Sequence, residues 1–578
     1  MKSTLQLLVA LFFVSVTTHL QAQSGSLDAG FGINGVAIMD NSANTDESYA
    51  MAVQADGKIV LGGRSTDINS SSDIMITRFN ADGSTDDNFG VNGKVIIGIG
   101  SQENIMAMAI QPDGKIIAGG YYIDNEGHYC VIRLNTDGSL DNGFGSNGID
   151  TFEWTEGLMR ALTLQSDGKI LVGGSDFSTN STHSHIMRLN ANGSIDSTFG
   201  VNGRKVYELS YSADEIYNLL VQPDGKILAC GYTRVLNPYY LSVTRINPDG
   251  SIDSTFSEDG IAWVEGNEFY GHAMVLQQDG KIITAGKGSD SSTIDALVVR
   301  FNTNGTIDSS FAANGKLLYA VSTQDDEVRG LGLDSEGKIL VAGTTRVPSN
   351  NMNAFITRLN SNGLPDSTYG NYGTVISDLN NNYTSEVYAA SLQSDDKLLV
   401  SGNYYNPTTF NRDFVVARFV SSCPAINNTV TVSGTTLTSN QAGATYQWLY
   451  CDSSYLPVAS ASTVTFTPPA TGNFAVRIVA DGCVDTSACE NVSISGVEDI
   501  KSDFIRVLPS HFTDEIYISM NSYVSDYTVY VFSVDGMLVA EKQLFEANTT
   551  ISLKQLPNAL YLLRIGNNHE VFNFKLTK

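Results

Sequence analysis

Gln111-Pro112-Asp113-Gly114-Lys115-Ile116-Ile117-Ala118-Gly119-Gly120 is the stretch that decides the fold of this chain. Proline presets φ for the first corner of a tight turn. Glycine takes the following left-handed position, which closes a hairpin with a bulge. The apolar, β-branched run after Lys115 reads as a strand. Its core, Gln-x-Asp-Gly-Lys followed by an apolar run, returns at Lys58, Lys115, Lys169, Lys226, Lys281, Lys338 and Lys397, with small variations in the last two copies, in steps of 57, 54, 57, 55, 57 and 59 residues. Gly57, Gly114, Gly168, Gly225, Gly280 and Gly337 fill the left-handed slot, and Asp396 fills it in the last copy. Aspartate is one of the few side chains that tolerate that region. A period of this size, repeated seven times, denotes one supersecondary unit stacked or closed into a ring.

Outward from the turn, the second unit has four apolar runs bounded by Gly, Asn or Asp. They begin at Lys94, Ile105, Lys115 and Tyr129. Four short antiparallel strands per ~56 residues is the size of a propeller blade. No window carries apolar residues at helical spacing over three turns. The spacing predicts a seven-bladed β-propeller over residues 24–421. Its ends predict closure. Each unit carries an anchor such as Arg78-Phe79-Asn80, then a connector such as Gly83-Ser84-Thr85-Asp86, Phe89-Gly90 and Asn92-Gly93. The chain opens on a connector alone (Gly25-Ser26-Leu27-Asp28, Phe31-Gly32, Asn34-Gly35) and the array ends on an anchor alone, Arg418-Phe419. The N-terminus then completes the last unit and removes two exposed sheet edges. The turn phrase and the connector, recurring in order over about residues 25–420, resemble the delta-60 repeats of bacterial propellers. That resemblance implies a fold and no activity.

The first 22 residues read as a secretory signal, with Lys2, an apolar run from Leu5 to Val16, and a cut after Ala22 or Gln23. No later stretch reaches the ~20 apolar residues of a membrane span, so an exported, soluble mature protein is expected unless something anchors it. A net charge of −27 argues against nucleic acid and anionic membrane surfaces. Cys130 and Cys230 fall within apolar strands and read as buried free thiols. Cys423, Cys451, Cys483 and Cys489 crowd the segment after the repeats, where disulfides are permitted; three pairings are open.

Motifs with chemical potential each have a bland competitor. Asn80-x-Asp82-Gly83-x-x-Asp86 looks like the later part of a calcium loop, but its first ligand position holds Arg78, and a guanidinium repels a cation. The same arginine returns at Arg133, Arg188, Arg245, Arg300, Arg358 and Arg418, so an aspartate that caps the turn and pairs with the arginine is expected. A second recurrent residue, at Glu47, Glu103, Glu156, Glu215, Glu268, Glu327 and Glu386, would form a carboxylate ring that binds a cation or basic partner, or a salt bridge to the recurrent Arg or Lys in each blade; the salt bridge is favoured. The doublets Gly62-Gly63, Gly119-Gly120 and Gly173-Gly174 read as tight strand ends, for the aromatic partners of kelch blades are missing. His128, His183, His185, His272, His511 and His569 stand at unrelated positions, and His183-x-His185 reads as a solvated loop end rather than a metal pair. Tyr121-Tyr122, Tyr239-Tyr240 and Tyr404-Tyr405 offer rings for sugar stacking or for packing. No catalytic, cofactor-binding or metal-binding residue is assigned.

Two further modules follow. Residues 423–497, with Tyr446-Gln447-Trp448 and Gly472-Asn473-Phe474-Ala475-Val476, resemble an immunoglobulin-like β-sandwich in which Val476 stands where the second core cysteine is usual. A charged hinge, 498–505, precedes residues 506–578. There Val507-Leu508-Pro509-Ser510-His511-Phe512, Val534-Asp535-Gly536 and Leu556-Pro557-Asn558-Ala559-Leu560-Tyr561 resemble the type A C-terminal sorting domain of type IX secretion in Bacteroidota. The usual Asn-Pro and Gly of that domain are replaced at Ser510-His511 and Ala559. The resemblance implies partnership with the type IX secretion machinery and a secreted or surface location. The expected protein is all-β and non-catalytic, recognising an extracellular protein or glycan. The alternative is a hydrolase or lyase acting on polysaccharide, which needs carboxylates converging from different blades.

Overall fold

The computed structural model describes residues 24–578 apart from 42–43, 68, 70, 125–126, 153–156, 177–180, 211–212, 235–237, 290–292, 380–382, 422–425, 452–454, 459–460, 481–482, 494–504, 510–511, 521–526, 535, 545, 547 and 568–570. The proposed signal segment, most of the hinge 498–505, and the expectations placed on Glu156, Cys423, Ser510, His511, Asp535 and His569 lie outside the described residues. Every named element is a strand. No described helix is long and apolar enough to cross a membrane. Two compact units result, one spanning Ala22–Pro424 and one built from Ala425–Ala480 and Val484–Lys578.

The first unit consists of four-stranded antiparallel groups, the first two of them joined by one parallel bridge between Ser72 and Gln102. Thr45–Val53, Ile59–Thr66, Ser72–Phe79 and Lys94–Ile97 pair in that order, and the pattern repeats along the chain. The strand after each connector therefore closes the sheet before it; it does not open the next, as the division at Lys94 assumed. The first strands of successive sheets touch their neighbours in sequence, and Ser385–Leu392 touches Thr45–Val53, so the row returns to its start. Among the described residues, seven such inner strands surround one axial channel.

Closure uses the split connector. Val36–Met39 pairs antiparallel with Arg412–Phe419. Arg418 Nε–H donates to Asp28 Oδ2 at 2.8 Å, and Lys397 Nζ stands 3.1 Å from the same oxygen. The turn glycines behave as their phrase requires, with φ of 84° at Gly57 and 83° at Gly114, and Asp396 adopts 61°.

In the second unit, Trp448 is fully buried, stacks on Phe466 at 5.4 Å and donates from Nε1 to the Thr463 carbonyl. It lies opposite buried Val476 in the pairing of Thr445–Tyr450 with Gly472–Ala480. Cys451 and Cys489 are bonded to each other; the side chain of Cys483, like Cys423, lies outside the described residues. Residues 505–577 form two antiparallel sheets around Ile516, Ile518, Val529, Leu563 and Ile565. Cys130 and Cys230 are buried free thiols, as the apolar runs around them imply.

Candidate functional site

The hairpin turns and connectors share one end of each sheet. Blade four shows their chemistry. Arg245 Nε–H donates to Asp253 Oδ2 at 2.7 Å, and Lys226 Nζ donates to the same oxygen at 2.8 Å. Asp253 Oδ1 accepts from the Thr255 amide and hydroxyl. Arg245 Nη1 crosses to the Thr303 carbonyl of the next connector, and its guanidinium covers the buried ring of Phe256 at 4.6 Å. The aspartate–arginine pairing expected from sequence is therefore present. The repeated lysine also joins it, a role that turn chemistry alone does not disclose. In the calcium-like loop, Asp82 Oδ1 accepts from the amide and hydroxyl of Ser84, and Asp86 is held by Arg78 and Lys58. Charge decides the acidity of these groups. Lys115 leads in holding Asp141 at about 2, against burial and with Gly143 and Arg133 assisting. Asp196 also stands at about 2, because Thr198 and Arg188 outweigh its burial.

The opposite end is built differently. Every inner strand carries a bulge, and the unpaired residue is Tyr49, Met106, Arg160, Tyr217, His272, Arg329 or Tyr388. A bulge re-aims one side chain, and here all seven converge on the axial channel, a cavity of ≈ 410 Å³. Below them the same cavity is lined by Met51, Met108, Leu162, Leu219, Met274, Leu331 and Ala390. The second glycine of each doublet, and the single glycine at the same place in the other units, makes room for the bulge. A Cβ on Gly231 would lie 1.8 Å from the Glu215 carbonyl oxygen, and one on Gly63 would lie 1.9 Å from that of Glu47. The doublet read as a strand end is thus the seat of the bulge. No periodic signal marks the bulged residue itself, since it differs in most units.

The bulged residues form a collar of contacts. Tyr49 meets Tyr388 edge-on at 4.8 Å, and Arg329 lies over Tyr388 at 5.5 Å. Tyr217 meets His272 edge-on at 4.9 Å, and Arg160 lies over Tyr217 at 5.5 Å. The recurrent glutamates stand behind them. Tyr49, Tyr217 and Tyr388 donate their hydroxyls to Glu47, Glu215 and Glu386. Glu47 is gripped by Arg64 and Arg412, Glu215 by Arg160 at 2.9 Å, and Glu327 by Arg329 at 3.0 Å and Lys287 at 3.2 Å. Salt bridges thus hold several of the glutamates, but the cations come from the variable end and not from the repeated Arg or Lys. Glu103 differs: it accepts the Ile99 and Gly100 amides.

Electrostatics follow from these partners. Burial would raise Glu327, but Arg329, His272 and Lys287 outweigh it and hold the carboxyl at about 2. Burial, with Arg329 and Lys287, pushes His272 down to about 3 against the pull of Glu327. The imidazole is therefore neutral at neutral pH. Its Nδ1–H donates to the Val328 carbonyl at 3.1 Å, which leaves Nε2 as the acceptor nitrogen. Nearer the ring seam, carboxylate oxygens of Asp40, Asp46 and Asp413 lie within 4.8 Å of one another. Asp413 is pushed up to about 6, by burial first and then by Asp40 and Asp46, despite the Asn406 amide.

The remaining candidates have packing roles. Tyr239 stacks on Tyr270 at 5.2 Å with Arg234 over its ring, and Lys287 lies over Tyr270. Tyr122 is buried, and Tyr405 stacks on Tyr383. His183 bonds Ser181, whereas His185 is buried beside Tyr129. Both lie in the strand His183–Leu189 and His185 is buried, so the solvated loop end expected for them does not form.

A model of the DUF5122 beta-propeller, a domain of unknown function, matches residues 54–89, 111–144, 165–199, 222–256, 277–311 and 335–369. A model of the secretion system C-terminal sorting domain matches residues 506–578. The chain therefore carries DUF5122 propeller repeats and a type IX sorting domain, which marks it for secretion and attachment at the cell surface. No curated protein matches at a significant level. Among solved structures, polysaccharide lyase Uly1 is 10% identical with a TM-score of 0.42, covering 70% of this chain and 98% of the other. Sqt1 from Chaetomium thermophilum is 11% identical at 0.38, covering 81% and 100%. PorZ, a surface component of the type-IX secretion system of Porphyromonas gingivalis, is 9% identical at 0.28, covering 91% and 68%. Similarities this low bear on neither substrate nor mechanism.

Proposed function

We propose that this exported protein is a non-catalytic recognition protein whose propeller binds an extracellular glycan or protein at the collar end of its channel. The observation that carries this reading is the convergence of seven bulged residues of four kinds (Tyr, Met, Arg and His) on one cavity, on a frame whose other end repeats unit by unit. Binding sites draw on such variation, whereas a scaffold repeats. The immunoglobulin-like segment serves as a spacer, and the sorting domain engages the type IX machinery. Glycan-array and pull-down screening of the mature chain tests the proposal. A ligand is expected that is lost when Tyr217 and Tyr388 are both changed to Ala. A ligand unaffected by that change places recognition elsewhere and overturns it.

One observation favours the polysaccharide-cleaving alternative: His272 lines the channel with Arg329 and Tyr217, its Nδ1–H turned to the Val328 carbonyl. Against it, Glu47 and Glu327 are held ionised by arginines and are poorly suited to donate a proton. Incubation with a polysaccharide panel, read by new reducing ends and by absorbance of unsaturated sugars, separates the two readings. Product formation that His272→Gln abolishes would establish the enzyme.

A further inference from the structure

Arg160 and Arg329 are the two cations among the bulged residues, and they stand three positions apart in the ring of seven inner strands. They therefore approach the channel axis from opposite sides. Each is held from behind. Arg160 donates from Nε to Glu215 and lies over Tyr217. Arg329 meets Glu327 at 3.0 Å and lies over Tyr388. Both guanidiniums line the cavity and are only partly exposed, at 28% for each side chain. A guanidinium has five N–H donors in a fixed fork, and the contacts named here use few of them.

Two further features favour an acceptor between them. Below the collar the wall turns to Met, Leu and Ala, which lowers the local polarity and strengthens charge-assisted hydrogen bonds. Around the collar, Arg64, Arg160, Lys287, Arg329 and Arg412 face Glu47, Glu215, Glu327 and Glu386, so cations gather here in a chain of net charge −27. The buried aspartates nearby serve other partners: Asp214 accepts the Leu209 and Ser210 amides, and Asp326 those of Val321 and Ser322.

We infer that Arg160 and Arg329 form an oxyanion clamp across the channel, which takes a carboxylate or sulfate group carried by an extracellular saccharide. The inference rests on the recognition reading and names its ligand class: acidic rather than neutral glycans. The tyrosine hydroxyls, engaged by glutamates, hold the collar in shape, and the arginine forks meet the anion.

Calorimetric titration of the mature chain with glucuronate, sulfate and glucose tests the clamp. Glucuronate and sulfate are expected to bind and to compete for one site, with glucose silent; the tighter of the two anions identifies the natural group. The double variant Arg160→Leu/Glu215→Gln removes one arm without stranding a carboxylate, and should weaken anion binding about tenfold or more. Arg329→Lys, which keeps charge and loses the fork, should weaken it too. Arg204→Gln, on a strand at the edge of its sheet, should not. Anions that bind both collar variants as tightly as the parent overturn the clamp, and so does failure of both anions to bind at millimolar concentration. In that last case, a neutral glycan that still needs Tyr217 and Tyr388 leaves the recognition reading standing.

Discussion

The two ends of the propeller are made from the same strands and obey opposite rules. At the hairpin end, one aspartate, one arginine, one lysine and one aromatic ring recur in each unit, and Asp28, Lys397, Arg418 and Phe31 complete the set across the seam. At the collar end, equivalent positions hold Tyr, Met, Arg or His. Carboxylates differ in the same way. The clasp aspartates at the hairpin end are pulled down with the help of their paired cations, whereas the aspartates Asp46, Asp214, Asp326 and Asp413 at the collar end are raised, with burial as the leading cause. The contrast teaches a division of labour: repeated ion clasps join blade to blade, and the bulge releases one residue per blade from that duty.

The largest expected effect lies at the clasp. Asp253→Ala strands buried Arg245 and should cost about 3–5 kcal/mol in denaturant unfolding. Asp28→Ala should cost a similar amount, because the N-terminal connector does the same work. A much smaller loss at Asp28 would break the equivalence of seam and interior. Glycine substitutions come next and sharpen the contrast between ends. Gly231→Ala drives a methyl into the Glu215 carbonyl and should cost about 1–3 kcal/mol while distorting the collar. Gly225→Ala, at φ 84° with its nearest neighbour 3.7 Å away, should cost about 1–2 kcal/mol from backbone strain alone and leave ligand binding intact.

Acidity separates the ends with opposite sign. Asp141 and Asp196 have folded values near 2, below the ordinary carboxylate range. Their contribution is complete above about pH 4 and is lost as pH falls toward 2. Asp413 has a folded value near 6, so the native state holds the extra proton between about pH 4 and 6, and stability falls as pH rises through that window. Asp413→Asn should therefore raise the melting temperature at pH 8, by about 1–2 kcal/mol in stability, and lose that advantage near pH 4. The smallest effect is expected for Tyr217→Phe, which removes one half-buried hydroxyl from Glu215 and should cost about 1 kcal/mol or less.

Much of the frame was legible because it is local. A turn of the Asp-Gly-Lys kind needs a left-handed residue wherever it occurs, and the chain has one at each copy. The split connector foretold the seam, since an anchor without its aspartate leaves a buried arginine unpaired. The position of the connector strand was misread: Lys94–Ile97 follows the turn in sequence, yet it pairs backward with Ser72–Phe79. The collar was out of reach for a related reason. Arg160, His272 and Tyr388 have no common chemistry and no shared pattern, so only the invariant glycine opposite them hinted at a crowded carbonyl.

Sequence by itself determined the repeat, its left-handed turns, the ring-closing latch and the C-terminal sorting domain, because each depends on residues close together or recurring at a fixed step. Tertiary structure alone decided which variable residues meet. Seven side chains separated by about 55 residues each share one cavity because a bulge turns them inward and the ring brings their strands to a common axis. Convergence of that kind is a property of the closed assembly, and no single repeat contains it.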